Sequence, residues 1–129
     1  MVGQSHRVQI RHILLEKEEI ANMIKEVVES ISGHTGRVQT LMKLAQKYSL
    51  CKSKEDGGNL GWLEILSDDP RKIDYQPVFE NVELEKLLRD GIAQRKLIKG
   101  KVFGPVNTLE GYHLVMISNE FGEKFHDTF

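Results

Sequence analysis

The chain has 129 residues, of which 40% are hydrophobic and 29% charged, a composition typical of one soluble globular domain. Its 18 basic and 19 acidic residues leave a formal net charge of -1, so charge favours neither nucleic acid nor a membrane surface as a partner. No apolar run approaches the roughly 18–20 residues that a membrane span requires. A single cysteine, Cys51, cannot form an internal disulfide, and we expect an intracellular protein in the cytoplasm, with a nuclear location left open.

The first half of the chain predicts one strand followed by two helices. Residues Val8–Leu15 are mostly β-branched or aliphatic, and a period of two places His12 on the apolar face of this strand. An amphipathic helix follows, with apolar residues three and four positions apart from Ile20 to Ile31. The polar segment Ser32–Gly36 ends it, and a second helix of the same kind runs from Val38 to Tyr48.

The middle of the chain predicts a short strand, a loop and a third helix. The strand covers Asn59–Leu63, and the polar segment Glu64–Gln76 reads as a long exposed loop because it contains Asp-Pro. Apolar residues from Val78 to Leu88 then predict a helix with Pro77 near its start.

The last part of the chain predicts a basic loop and two strands. Residues Arg95–Lys101 form the basic loop, and the Gly-Pro pair within Val102–Val106 limits that strand to a sheet edge. Tyr112–Ser118 is the final strand, with His113 on its apolar face. We therefore divide the chain into an arm (1–7), one domain (8–118) and a tail (119–129).

The segment Tyr48–Trp62, YSLCKSKEDGGNLGW, carries the strongest local signal. Gly57 and Gly58 turn the chain from a polar loop into the next strand, since glycine adopts positive φ without steric cost. Cys51 is followed by two nearby lysines, and a positive field favours the thiolate of a partly exposed cysteine. The cysteine alone fits a small buried apolar residue better than a reactive thiol.

His12 and His113 fit two different kinds of site. Each is compatible with a core histidine whose ring nitrogens are satisfied, and together with Cys51 they also suit a Cys/His pair or a metal site. The sequence contains no Cys-x-x-Cys, no His-x-x-x-His and no clustered carboxylates at ligand spacing. We therefore predict no metal and no cofactor, and a cysteine protease lacks a local nucleophile signature.

Four segments, in one order, resemble the parvulin family of peptidyl-prolyl cis/trans isomerases: RHILL, LAQKYSLCKSKEDGGNLGW, PVFENV and GPVNTLEGYHLVMI. The match runs from about Val8 to Ser118. The resemblance implies an α+β fold, with a four-stranded antiparallel sheet surrounded by three to four helices and a ligand groove on one sheet face. It also implies an enzyme that accelerates rotation about Xaa-Pro bonds in proline-containing polypeptides, without a cofactor.

The resemblance assigns roles to individual residues. His12 and His113 match the family's paired central histidines, which hydrogen-bond to each other beneath the active site. Cys51 matches the position that holds Cys or Asp beside the substrate carbonyl, and Thr108 matches the hydroxyl that joins the histidine network. These four are the predicted catalytic residues.

The predicted substrate-binding residues are Leu60, Tyr75, Gln76 and Phe79. Leu60 and Phe79 match the walls of the family's proline pocket. Tyr75 stands where a Met is usual, and Gln76 follows it in register.

Two further departures from the family bear on specificity. The loop after the first strand is short and acidic (Glu16, Glu18, Glu19), whereas relatives directed to phosphoproteins carry a basic loop there. Bidentate phosphate recognition is therefore unsupported, and we predict apolar or basic residues before proline. Glu110 occupies a position where small or aromatic residues are common.

Two rival functions remain open. A peptide-binding module or chaperone could use the same fold without catalysis, and a redox sensor could use Cys51. In either case we expect a monomer that binds neither nucleic acid nor membrane.

Overall fold

The computed structural model describes residues 6–65 and 78–122. Its centre is one antiparallel sheet in the order β2-β1-β4-β3, with the strands β1 (His6–Leu15), β2 (Asn59–Ile65), β3 (Phe103–Thr108) and β4 (Gly111–Phe121). Three α-helices surround it: α1 (Glu18–Glu29), α2 (His34–Tyr48) and α3 (Val82–Ala93). A 3-10 helix, Lys52–Asp56, precedes β2. The predicted α+β class, element order and edge position of β3 are confirmed.

Both faces of the sheet are covered by a hydrophobic core. On one face, Ile13 and Leu15 of β1 and residues of β4 pack against α1 and α2. On the other face, the alternate β1 residues Val8 and Ile10 pack against α3. Because successive strand residues alternate between faces, His12 lies on the α3 face. No helix in the described ranges has the length and hydropathy needed to cross a membrane.

The two central strands are longer than their apolar pattern predicts. Arg7 of β1 pairs with Phe121 of β4, and the His6 Nε2 atom lies 2.6 Å from a Glu120 carboxylate oxygen. These outer positions are polar or exposed, so hydrophobic periodicity carries no signal for them. The sheet therefore extends beyond both ends of the predicted 8–118 domain, into the predicted arm (1–7) and tail (119–129).

Helix α3 begins later than predicted, at Val82 rather than near Pro77, which itself lies outside the described ranges. The backbone N–H groups of Val78 and Phe79 each donate to Glu85 Oε1 at 2.7 Å. The helix instead starts with Asn81 as its N-cap, whose Oδ1 accepts from Leu84 N at 2.9 Å. A carboxylate from inside the helix therefore holds the preceding residues in a separate turn.

Candidate active site

His12 and His113 lie side by side on the two central strands. Their Nδ1 atoms are 3.1 Å apart, and their rings are nearly parallel, with centroids 5.2 Å apart and an interplanar angle of 16°. Both side chains are buried. The hydrogen bond that the resemblance implies between these residues is thus present in the structure.

Both imidazoles are neutral at pH 7. The pKa of His12 is lowered to about 3, mainly by burial and to a smaller extent by the nearby His113. Burial also lowers the pKa of His113, although the negative charges of Glu110 and Glu83 oppose that shift. Because both rings are neutral, one Nδ1 atom can carry a proton and donate a hydrogen bond to the bare Nδ1 of the other ring.

Thr108 connects the histidine pair to the start of α3. Its Oγ1 atom is 2.8 Å from His113 Nε2 and also lies 3.3 Å from Asn81 Nδ2. The backbone N–H of Glu110 donates to the same oxygen at 3.2 Å. Asn81 was not predicted from the sequence, where its only signal is the preference of asparagine for helix N-caps.

Cys51 is held beside the end of β1 by a buried serine. Ser49 Oγ accepts from the backbone N–H of Leu14 at 3.0 Å and from that of Cys51 at 3.3 Å. The Cys51 sulfur caps the 3-10 helix by accepting from Ser53 N at 3.5 Å. The thiol is half-buried. Ser49 was missed because its position after a helix reads as an ordinary helix end.

The structure does not assemble a Cys/His pair from these residues. Both Nδ1 atoms of the pair bond to each other, and His113 Nε2 bonds to Thr108. His12 Nε2 is buried without a hydrogen-bond partner among the described residues. The same ranges contain no group of three His, Cys, Asp or Glu side chains arranged to hold a metal ion.

Leu60 and Phe79 come together on the α3 face of the sheet. Phe79 is only 7% exposed and belongs to the core cluster there, and the half-buried Leu60 packs against that cluster. Their shared role as walls of a proline pocket stays a prediction, and the anchoring of Phe79 by Glu85, which is 1% exposed, was not predicted. Tyr75 and Gln76 lie outside the described ranges, so their pocket roles stay predictions.

The 3-10 turn fits closely against His12. The backbone N–H of His12 donates to Gly58 O at 2.9 Å. A Cβ added at Gly58, where φ is +81°, would lie 2.3 Å from His12 O. Glycine is required there both for its φ and for the space, so the GGNLG segment positions β2 against the histidine strand.

Comparison with known proteins places the chain in one family. The family model for rotamase, the PPIC-type PPIASE domain, matches residues 8–119. A curated relative, the chaperone SurA of Methylobacillus flagellatus, is 26% identical over 119 residues. That alignment covers 91% of this chain but only 22% of the relative, so the chain spans about a fifth of the longer protein.

Solved structures agree with this assignment. A SurA-like chaperone of Campylobacter jejuni aligns with a TM-score of 0.61 and 27% identity, over 96% of this chain and 44% of that one. The parvulin of Nitrosopumilus maritimus aligns with a TM-score of 0.55 and 26% identity, over 91% of this chain and 100% of that one. The chain therefore belongs to the PPIC-type, or parvulin, family of peptidyl-prolyl cis/trans isomerases.

Proposed function

We propose that this domain catalyses cis/trans isomerisation of Xaa-Pro bonds in protein substrates. The observation that carries the proposal is the buried, neutral His12–His113–Thr108 cluster on the same sheet face as the apolar cluster that contains Phe79 and against which Leu60 packs. Family membership makes proline-containing polypeptides the substrate class. Catalysis then requires only that the site favour the twisted peptide bond over the planar one.

An apolar wall beside a fixed polar cluster suits this reaction. Rotation about the C–N bond has an intrinsic barrier of about 18–20 kcal/mol because it breaks amide resonance. The twisted amide has less charge separation than the planar one, so an apolar surface such as Leu60 disfavours the planar ground state. Each tenfold acceleration requires about 1.4 kcal/mol of such discrimination.

We assign Cys51 an electrostatic role beside the substrate carbonyl. The thiol hydrogen-bonds to neither ring of the histidine pair, and a nucleophile would need such a base within reach. Cys51→Asp should therefore retain much of the isomerase activity, since a carboxylate can fill the same position. Inactivity of this variant, together with a trapped covalent adduct on Cys51, would establish the nucleophilic role instead.

The proposed substrate preference is for apolar or basic residues before proline. A shallow depression beside the β1–α1 loop offers apolar contact next to one negative and one positive charge. It is lined by Leu15, Glu16, Lys17, Ile20, Tyr48 and Leu50. Lys17 is the one cation in that loop and stands between glutamates. A phosphoserine at that position would meet more negative than positive charge.

The assay that tests the function is isomerisation of a peptide series Xaa-Pro, with Leu, Arg, Glu or phosphoserine as Xaa. We expect the Leu and Arg peptides to be the best substrates. Leu60→Ala and Phe79→Leu should each lower kcat/KM about tenfold, equivalent to about 1.4 kcal/mol of transition-state stabilisation. Met23→Ala is the matched control, because Met23 is 61% exposed on α1, across the sheet.

Two results would contradict the proposal. One is the absence of acceleration for every peptide by the folded wild-type domain. The other is a set of NMR shifts, on titration with prolyl peptides, that leaves Leu60, Phe79 and Cys51 unperturbed and maps to another surface.

Chaperone activity is the second candidate, favoured by the name of the curated relative, chaperone SurA. The α1–α2 side of this domain exposes Ile20, Met23, Tyr48 and Leu50, which provides apolar surface for an unfolded chain. Suppression of aggregation of a proline-free client by the domain would support this role. A domain that isomerises prolyl peptides without protecting such a client would be an enzyme alone.

We also propose the oligomeric state, the excluded partners and the location of the domain. We propose a monomer, and the near-zero net charge provides no overall attraction to nucleic acid or to a membrane surface. The single cysteine supports an intracellular location, and the proposed reaction needs neither metal nor cofactor.

A further inference from the structure

Three hydrogen-bonding groups contact the side-chain amide of Asn81 and fix which way it points. Its Oδ1 accepts from the backbone N–H of Leu84 at 2.9 Å. A backbone N–H can only donate, so the oxygen must face Leu84 and the NH₂ group must face the other side. There it lies 2.6 Å from Glu110 Oε1 and 3.3 Å from Thr108 Oγ1.

This orientation settles the direction of the next hydrogen bond. Thr108 Oγ1 accepts one hydrogen bond from Asn81 Nδ2 and another from the backbone N–H of Glu110. A hydroxyl oxygen has two lone pairs, and both are then occupied. Its own proton must go to the third neighbour, His113 Nε2, at 2.8 Å.

The same logic passes through the histidine pair. His113 Nε2 accepts a hydrogen bond from the Thr108 hydroxyl, so this nitrogen carries no proton. The proton of the neutral His113 ring therefore lies on Nδ1, which donates a hydrogen bond to His12 Nδ1 at 3.1 Å. His12 Nδ1 is then an acceptor, and the His12 proton lies on Nε2. Every ring and hydroxyl proton from Thr108 to His12 is thereby assigned, and the buried His12 Nε2–H has no hydrogen-bond partner within the part of the chain that the structure describes.

We infer that Asn81 is a positioning residue of the proposed site, which sets the tautomers of His113 and His12 through the Thr108 hydroxyl. The inference rests on the proposed function only for its catalytic meaning, because the tautomers are a property of the unliganded domain. It also gives the N-cap of α3 a second task besides starting the helix.

Asn81→Asp separates these two tasks. Aspartate is as good an N-cap as asparagine, so α3 should still begin at Val82. A carboxylate cannot donate, however, so it repels the exposed Glu110 carboxylate that the amide contacted at 2.6 Å and attracts the Thr108 hydroxyl proton strongly. Thr108 Oγ1 would then accept from His113 Nε2–H, and the proton between the two Nδ1 atoms would belong to His12.

The experiment is ¹⁵N NMR of the histidine rings at neutral pH, in which a protonated ring nitrogen and a bare one have well-separated shifts. In the wild type we expect the proton on Nδ1 of His113 and on Nε2 of His12. In Asn81→Asp both assignments should invert. Glu110→Gln is the matched control, since its amide oxygen can still accept from Asn81 and the wild-type tautomers should persist.

The outcomes separate this inference from the proposed function. Nε2–H on His113 in the wild type would overturn the inference without any variant, and so would unchanged tautomers in a folded Asn81→Asp domain. A wild-type domain with the expected tautomers but no isomerase activity would uphold the hydrogen-bond assignment and reject the function.

Discussion

Individual buried polar residues determine the geometry of the site. Each has a partner that lies far away in the sequence: His12 and His113 meet across two strands, and Ser49 joins Leu14 to Cys51. Such groups are costly to bury unless they are hydrogen-bonded. The site residues therefore contribute to stability as well as to chemistry.

The first prediction concerns the pH dependence of stability. In the folded domain the pKa of His12 is about 3, whereas the unfolded chain titrates near the ordinary value of 6.5. Between these values the unfolded state binds more protons. The unfolding free energy should therefore be fully present above pH 6.5 and should fall as the pH drops, with His12 contributing about 1.4 kcal/mol per pH unit.

His12→Gln provides the comparison for that slope. The variant lacks this titrating group but keeps the other histidines. Its unfolding free energy should therefore depend less steeply on pH between about 6 and 4, which lies between the folded and unfolded pKa values of His12. Chemical denaturation at a series of pH values measures the difference. Parallel curves for the two proteins would show that His12 is not buried as a neutral ring.

At the scale of the elements, the turns and helix ends hold the pocket together. The 3-10 turn brings Gly58 against His12, and the residues before α3 are tied to Glu85. Both arrangements connect a loop to a rigid strand or helix. This is how loop residues acquire fixed positions beside a sheet.

The second prediction compares two glycines with nearly equal backbone angles. Gly58 has φ of +81° and Gly33 has φ of +86°, but an added Cβ meets His12 O at 2.3 Å at Gly58 and nothing within 4 Å at Gly33. Gly33→Ala should cost about 1–3 kcal/mol from backbone strain alone. Gly58→Ala should cost roughly 1–3 kcal/mol more because strand β1 must shift. Equal losses of unfolding free energy would disprove the close contact.

The third prediction concerns Glu85. Glu85→Ala removes the acceptor of two backbone N–H groups and the partner of Arg89 Nε at 3.2 Å. We expect a loss of about 3 kcal/mol in unfolding free energy and a lower kcat/KM, because Phe79 loses its anchor. Lys86→Ala, at the exposed neighbouring position, should change neither quantity. Wild-type stability in Glu85→Ala would mean that this carboxylate does not hold the turn.

At the scale of the whole molecule, two helical layers enclose one sheet whose central strands run its full length. The far end of the pair is closed by Phe121, which stacks on Trp62 with ring centroids 5.2 Å apart. Asn119 Nδ2 also donates to Gln9 Oε1 at 2.7 Å. Along β1, the partner of Phe121 lies five residues from His12 and Gln9 lies three residues from it, or about 16 Å and about 10 Å away.

The fourth prediction is that the end of β4 stabilises the domain without contributing to its site. A chain ending at Ser118 loses the three pairings of residues 119–121 with β1, at about 0.2–1 kcal/mol each. It should unfold more easily than a chain ending at Gly122, while its isomerase activity stays the same at a temperature where both are folded. Equal denaturation midpoints would show that these residues do not pair in solution.

The sequence by itself determined the class, the element order and the family. Alternating and three-to-four spacing report which residues face a core, and the GGNLG and GYHLV segments sit where backbone geometry allows few residue types. The histidines were found for the same reason, since a His on an apolar strand face stands out against its neighbours.

Only the tertiary structure identified Asn81, Ser49 and Glu85, and only it started α3 at Val82. Each of these side chains acts on a group that is distant in sequence or unconnected with any apolar pattern. A hydrogen bond depends on where its donor and acceptor lie after folding, and local spacing does not record that position. Most of the hydrophobic core can therefore be read from the sequence, although Ile20, Met23 and Val27 of the apolar stripe on α1 are exposed. Satisfaction of the buried polar groups was decided by the fold.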